Sequence, residues 1–153
     1  MRVVVDLAAN FVLVLGFGIL LQAPKNSLIS IGLTGTISWG GFLLASNFAD
    51  SVVFSTFIAA LTVGVCGEIF ARIYKLPATV FIVAGILPLV PGVPAYYMMY
   101  HMIKGDYLLG VEEGINTLMI AGAISFGIAI VGGAAKYYAE LKENSDSKGI
   151  DKE

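Results

Sequence analysis

Charge is what this sequence of 153 residues has least of: Asp, Glu, Lys and Arg together make up 13%, against roughly 25% in an ordinary soluble domain. That leaves too little polar surface to cover a soluble globule. The nine Lys and Arg are scattered and the net charge is −2. No basic cluster exists to neutralise a row of phosphates, so nucleic acid is excluded as a partner. A single cysteine, Cys66, and a single histidine, His101, rule out an intrachain disulfide and a Cys/His metal cluster. There is also no serine, histidine and acid grouping and no phosphate-cradling glycine loop, so the chain does not read as an enzyme and calls for no cofactor and no metal. Proline is scarce too, with five in all, yet three of them fall at 88, 91 and 94.

Apolar residues dominate: 58% of the chain is hydrophobic and the mean hydropathy is +0.86. They come in runs of about 18 to 25, enough to cross roughly 30 Å of hydrocarbon at about 1.5 Å per helical residue. The spacing predicts an all-α integral membrane protein, a bundle of about five transmembrane helices with the fourth broken at Pro88–Pro94. Helix one is expected over 3–21, ending before Pro24-Lys25-Asn26. Helix two follows over 27–46, and helix three over 52–74, stopped by Lys75 and Pro77. The broken segment spans 78–103, a polar loop 104–113, and helix five 114–138. Residues 1–139 then form the membrane domain, and 140–153 a charged cytoplasmic tail, expected to be disordered because it has too few apolar residues to pack. Leu21-Gln22-Ala23-Pro24 is a poor cleavage site, so the first run reads as a helix rather than a removed signal.

Five crossings place Arg2 and Lys104 on one side, and Lys25, Arg72, Lys75, Lys136 and Lys142 on the other. Cytoplasmic loops retain Lys and Arg, so the expected orientation is N-terminus out and C-terminus cytoplasmic. A segment four that re-entered on its own side would nearly erase that bias; a crossing is the preferred reading.

Each proline of Leu87-Pro88-Leu89-Val90-Pro91-Gly92-Val93-Pro94 lacks the N–H a helix needs, and the residue before each resists helical geometry. The carbonyls of Ala84, Leu87 and Val90 should therefore lose their helical partners. About ten residues of helix from Ala78 rise roughly 15 Å, which puts the break near the midplane. Irregular backbone at that depth must be buried or line a wet cavity, and discontinuous helices are a recurring way to build transport sites. Pro88, Pro91, Gly92, Tyr96 and Tyr97 are the candidate substrate-binding residues. The second half-helix should start near Pro94, with its N-terminal dipole favouring a carboxylate. The competing reading is a kink that serves packing alone.

In helix three, Thr56, Ala60, Gly64, Glu68 and Arg72 recur every four residues, which sets small residues and two charges on one protein-facing side. Glu68 and Arg72 form either a structural ion pair or a coupling or gating site. Ala121, Ser125, Ala129 and Gly133 in helix five read as a second packing stripe. Ser38, Asn47, Asn116, Thr117 and Ser125 could bond a polar solute or equally a neighbouring carbonyl. His101 and Tyr107 read as interfacial anchors.

The string Gly85-Ile86-Leu87-Pro88-Leu89-Val90-Pro91-Gly92, about a dozen residues after Arg72 with Pro77 between, resembles the threonine/serine exporter family. So do Pro24-Lys25-Asn26 followed by Gly32, Gly35 and Trp39, and the Gly64, Gly67 and Arg72 spacing. The chain looks like the family's small hydrophobic subunit, equivalent to the C-terminal membrane half of the longer exporters, and the likeness covers all but the tail. It implies export of a small carboxylate-bearing metabolite, threonine or serine in some members and a dicarboxylate such as succinate in others, driven by the proton motive force across a prokaryotic cell membrane. It also implies a larger partner subunit. Of the motif positions, Pro77, Pro88, Pro91, Gly92 and Arg72 carry over. Five helices can scarcely enclose a pathway alone, so assembly with that subunit, or self-association, is expected. The rival readings are a homo-oligomeric passive channel and a structural subunit of a transport complex.

Overall fold

The computed structural model describes residues 2–150, and every regular element among them is helical. Helix α1 spans Arg2–Leu20 and α2 spans Leu28–Ser46. Between them Gln22 takes a left-handed φ of 56°, and Lys25–Ser27 form a 3-10 turn closed by Ser27 Oγ, which donates to the Pro24 carbonyl at 2.8 Å. Helix α3 spans Val52–Tyr74; the side chain of Ser51 caps it by accepting from the Phe54 N–H, and the left-handed Lys75 ends it. Helix α4 covers Ala78–Gly85, α5 covers Gly92–Lys104, and α6 covers Tyr107–Ile150.

The first three helices lie within a residue or so of their expected bounds. The expected polar loop 104–113 is overturned. Gly105, in a left-handed conformation, and Asp106 make the whole turn, with the Asp106 N–H bonded to the His101 carbonyl at 2.9 Å. Helix α6 therefore begins at Tyr107, because Leu108, Leu109, Glu112 and Glu113 are good helix formers that outweigh Gly110. It also runs on to Ile150, through much of the segment that composition sets apart from residue 140.

Helix α3 is the centre of the bundle, with α2, α4 and α6 around it. Small residues allow these approaches, as expected where dispersion rather than water drives helix contact. A Cβ on Gly67 would stand 2.5 Å from Ile82 of α4, one on Gly127 2.7 Å from Ala60, and one on Gly64 2.9 Å from Val131. The stripe Thr56, Ala60 and Gly64 is thus buried against α6 as expected. The stripe Ala121, Ser125, Ala129 and Gly133 is not: it is exposed, because α6 turns the adjacent face of Ile120, Ile124, Gly127 and Val131 inward.

These contacts fix direction. Ala60 meets Gly127 and Gly64 meets Val131, so α6 runs parallel to α3. A re-entrant segment four would have made them antiparallel; instead it carries the chain from the Tyr74 end of the bundle to the Ser51 end. Four helices are long and apolar enough to span a membrane, and the α4–α5 pair, bent by 53°, makes a fifth. At 44 residues, α6 is about 66 Å long. Its first turns pass beyond the start of α3 and pack on α5, where Gly110 meets Met102 and Gly114 meets Met98.

Candidate functional site

The break in segment four runs from Gly85 to Gly92, two residues earlier than expected, so Val93 and Pro94 sit in the first turn of α5. Leu87–Leu89 form a 3-10 turn with Pro88 in its opening positions. Pro91 follows at φ −76°, ψ 59°, an inverse γ-turn that the Gly92 N–H closes on the Val90 carbonyl at 2.8 Å. The Val90 N–H reaches the Leu87 carbonyl at 3.4 Å. Two of the three carbonyls expected to lose helical partners, those of Leu87 and Val90, are thus re-satisfied locally. Non-helical backbone inside a membrane is tolerated on that condition.

In depth, the break starts beside the middle of α3 and continues toward its Ser51 end. Gly85 abuts Val63, Leu89 packs with Ala59 and Ala60, and Pro91 and Gly92 share a cavity of about 190 Å³ with Val52 and Thr56. Pro88, Pro91 and Gly92 therefore come together as predicted. Trp39 and Phe42 of α2 complete the wall, their rings stacked 5.0 Å apart at 12°. The sequence left both unassigned to the site; their three-residue spacing, which puts two aromatics on one side of a helix, was the available signal. Tyr96 and Tyr97 lie elsewhere. They are exposed, and with Tyr100 and His101 they make an aromatic cluster on α5, where Lys104 Nζ sits 4.8 Å from the Tyr100 ring.

The half-helix dipole at this cavity is weaker than the sequence suggested. Of the first four residues of α5, Pro94 has no N–H, Gly92 donates to Val90 and Ala95 donates to Pro91. Only the Val93 N–H is left to meet an anion.

A second cavity, of about 270 Å³, lies between α3 and α6 at the other end of the bundle, lined by Val65, Glu68, Ile69, Arg72, Val131, Ala134, Ala135 and Tyr138. The structural ion pair expected of Glu68 and Arg72 is not formed: among the described residues the one close approach of a basic to an acidic side chain is His101 Nδ1 to Asp106 Oδ2, at 3.8 Å. Glu68 is half-buried and Arg72 exposed.

The hydroxyls and amides named as possible solute ligands mostly take the local alternative. Ser38 donates to the Gly35 carbonyl, Asn47 to Leu43, Thr117 to Glu113 and Ser125 to Ala121. Ser30 is different, bonding across helices to the Tyr74 hydroxyl at 2.8 Å. Ser55 is different again, fully buried with no partner for its Oγ.

A multi-pass helical bundle with a broken span that lines an open cleft gives the class: a membrane transport protein. The family model described as Threonine/Serine exporter, ThrE, matches residues 6–133. The chain belongs to that family, a family of membrane exporters rather than of enzymes. Both the break and the Glu68–Arg72 cavity fall within the matched stretch. No solved structure matches the chain.

Proposed function

We propose that the chain is the membrane half of an exporter for a small carboxylate-bearing metabolite, threonine or serine first and a dicarboxylate such as succinate second, driven by the proton motive force. The observation that carries the reading is the broken fourth span, whose Pro88, Pro91 and Gly92 line a cavity with Trp39, Phe42 and Thr56. In this reading the cavity is the outer part of the substrate path. Tyr96 and Tyr97 act at its approach rather than in its wall, and Glu68 with Arg72 couples or gates transport. The chain works with a larger partner subunit of the same family, because a bundle of this size, in which α5 has no fully buried residue, encloses no complete pathway. The proposed setting is a prokaryotic cell membrane, N-terminus out and C-terminus cytoplasmic, with Lys25, Arg72 and Lys75 on the cytoplasmic side in keeping with the positive-inside bias.

The test is uptake of labelled threonine, serine and succinate into inverted vesicles carrying this chain alone or with a larger subunit, with and without a proton gradient. Gradient-dependent uptake with both subunits supports the split exporter and names the substrate. Voltage-driven flux without proton coupling would favour a passive channel instead. No flux of any solute from a folded complex would leave a structural subunit.

A further inference from the structure

We propose that Glu68 and Arg72 are the two halves of an amino-acid site, Glu68 taking the substrate's ammonium group and Arg72 its carboxylate. The proposal rests on the exporter reading above and extends it to a second, inner site with its own chemistry.

Three observations converge. Opposite charges stand one helical turn apart, their Cβ atoms about 5–6 Å from each other, and line one cavity without pairing across it. An α-amino acid carries the complementary charges on adjacent carbons, so one molecule can bridge the two where they do not bridge themselves. Second, the cavity fits. About 270 Å³ is the room of about nine waters at roughly 30 Å³ each, which suits a four-carbon amino acid, and Ala134 and Ala135 keep the facing wall of α6 shallow. Third, the position is costly without a ligand. Glu68 lies about six residues from the end of α3, roughly 9 Å inside it, and a carboxylate there is expensive unless neutralised. Arg72 meanwhile presents a fork suited to bidentate contact with a carboxylate.

Among the described residues, the other charged or hydroxyl-bearing side chains that line the cavity are Arg72 on the same helix and Tyr138 from α6.

The test measures binding on the full chain with its partner subunit in nanodiscs, using threonine, its amino alcohol and its 2-hydroxy acid. Wild type is expected to bind threonine at least tenfold more tightly than either analogue. Glu68→Gln should bind threonine and the hydroxy acid alike. Arg72→Gln should bind threonine and the amino alcohol alike, while Arg72→Lys recovers part of the difference. Gel filtration and circular dichroism confirm that each variant is folded, and Glu68→Asp, expected to retain part of the preference for the ammonium group, stands in if Glu68→Gln is not. Preference for the ammonium group that persists undiminished in the folded Glu68 variant overturns the site. Export that continues in vesicles while this signature is absent also overturns it and leaves the exporter reading intact; absence of export from wild-type vesicles removes the exporter reading itself.

Discussion

Gly127 is where the parallel packing of α3 and α6 can be tested most directly. A methyl group there would lie 2.7 Å from the Ala60 Cβ and 3.2 Å from both the Leu61 N and the Phe57 O. The last two are backbone atoms of α3 and cannot rotate away, so Gly127→Ala forces the helices apart. Such overpacking costs about 1–3 kcal/mol. The same substitution raises helix propensity by about 1 kcal/mol, leaving a net loss of about 0–2 kcal/mol. Gly133→Ala is the internal control, because a Cβ there meets nothing within 4 Å and only the propensity gain of about 1 kcal/mol remains. The two variants should therefore differ by about 1–3 kcal/mol, measured by reversible unfolding in mixed micelles. Cysteines supply a second reading: with Cys66 replaced by Ala, Gly64→Cys and Val131→Cys should cross-link, and Val53→Cys with Tyr138→Cys should not. Equal stability changes for the two alanine variants, with cross-linking of the second cysteine pair, would mean that α3 and α6 are antiparallel and that segment four returns to its own side.

Three further outcomes follow from single contacts. Ser30→Ala and Tyr74→Phe each remove the bond between α2 and α3; a double-mutant cycle should give a coupling of about 0.6 kcal/mol, the usual worth of such a bond in a membrane. Ser55→Ala should stabilise by about 1 kcal/mol, the low end of the cost of a buried, unpartnered polar group, whereas Ser38→Ala, which removes the bond to Gly35, should not stabilise. Gly105 has φ 87° and Lys75 φ 53°, so Gly105→Ala should destabilise by about 1–2 kcal/mol and Lys75→Gly should stabilise by a similar amount; thermal unfolding in detergent reads both.

How far the sequence carries depends on the range of the physics involved. The apolar runs, the stop at Lys75 and Pro77 and the failure of helix across Pro88 and Pro91 are properties of a few neighbouring residues, so they were legible without any partner. The expected loop at 104–113 failed because polarity was read as irregular backbone, while Glu112 and Glu113 are good helix formers at home in an exposed turn. The Glu68–Arg72 pair failed because a spacing of four brings two side chains within reach without fixing the rotamers that would join them. Tyr96 and Tyr97 looked like cavity residues from their nearness to Pro94, but an α5 starting at Gly92 and bent by 53° leaves them on an exposed face.

The sequence by itself determined the solvent, four unbroken spans and the place where a further segment breaks, since hydropathy and missing N–H groups act locally. Only the tertiary structure decided that α3 and α6 run parallel, that Trp39 and Phe42 complete the broken-span cavity, and that Glu68 and Arg72 share a cavity with Tyr138. Those facts join residues tens of positions apart, and they depend on which helix faces glycine allows to approach.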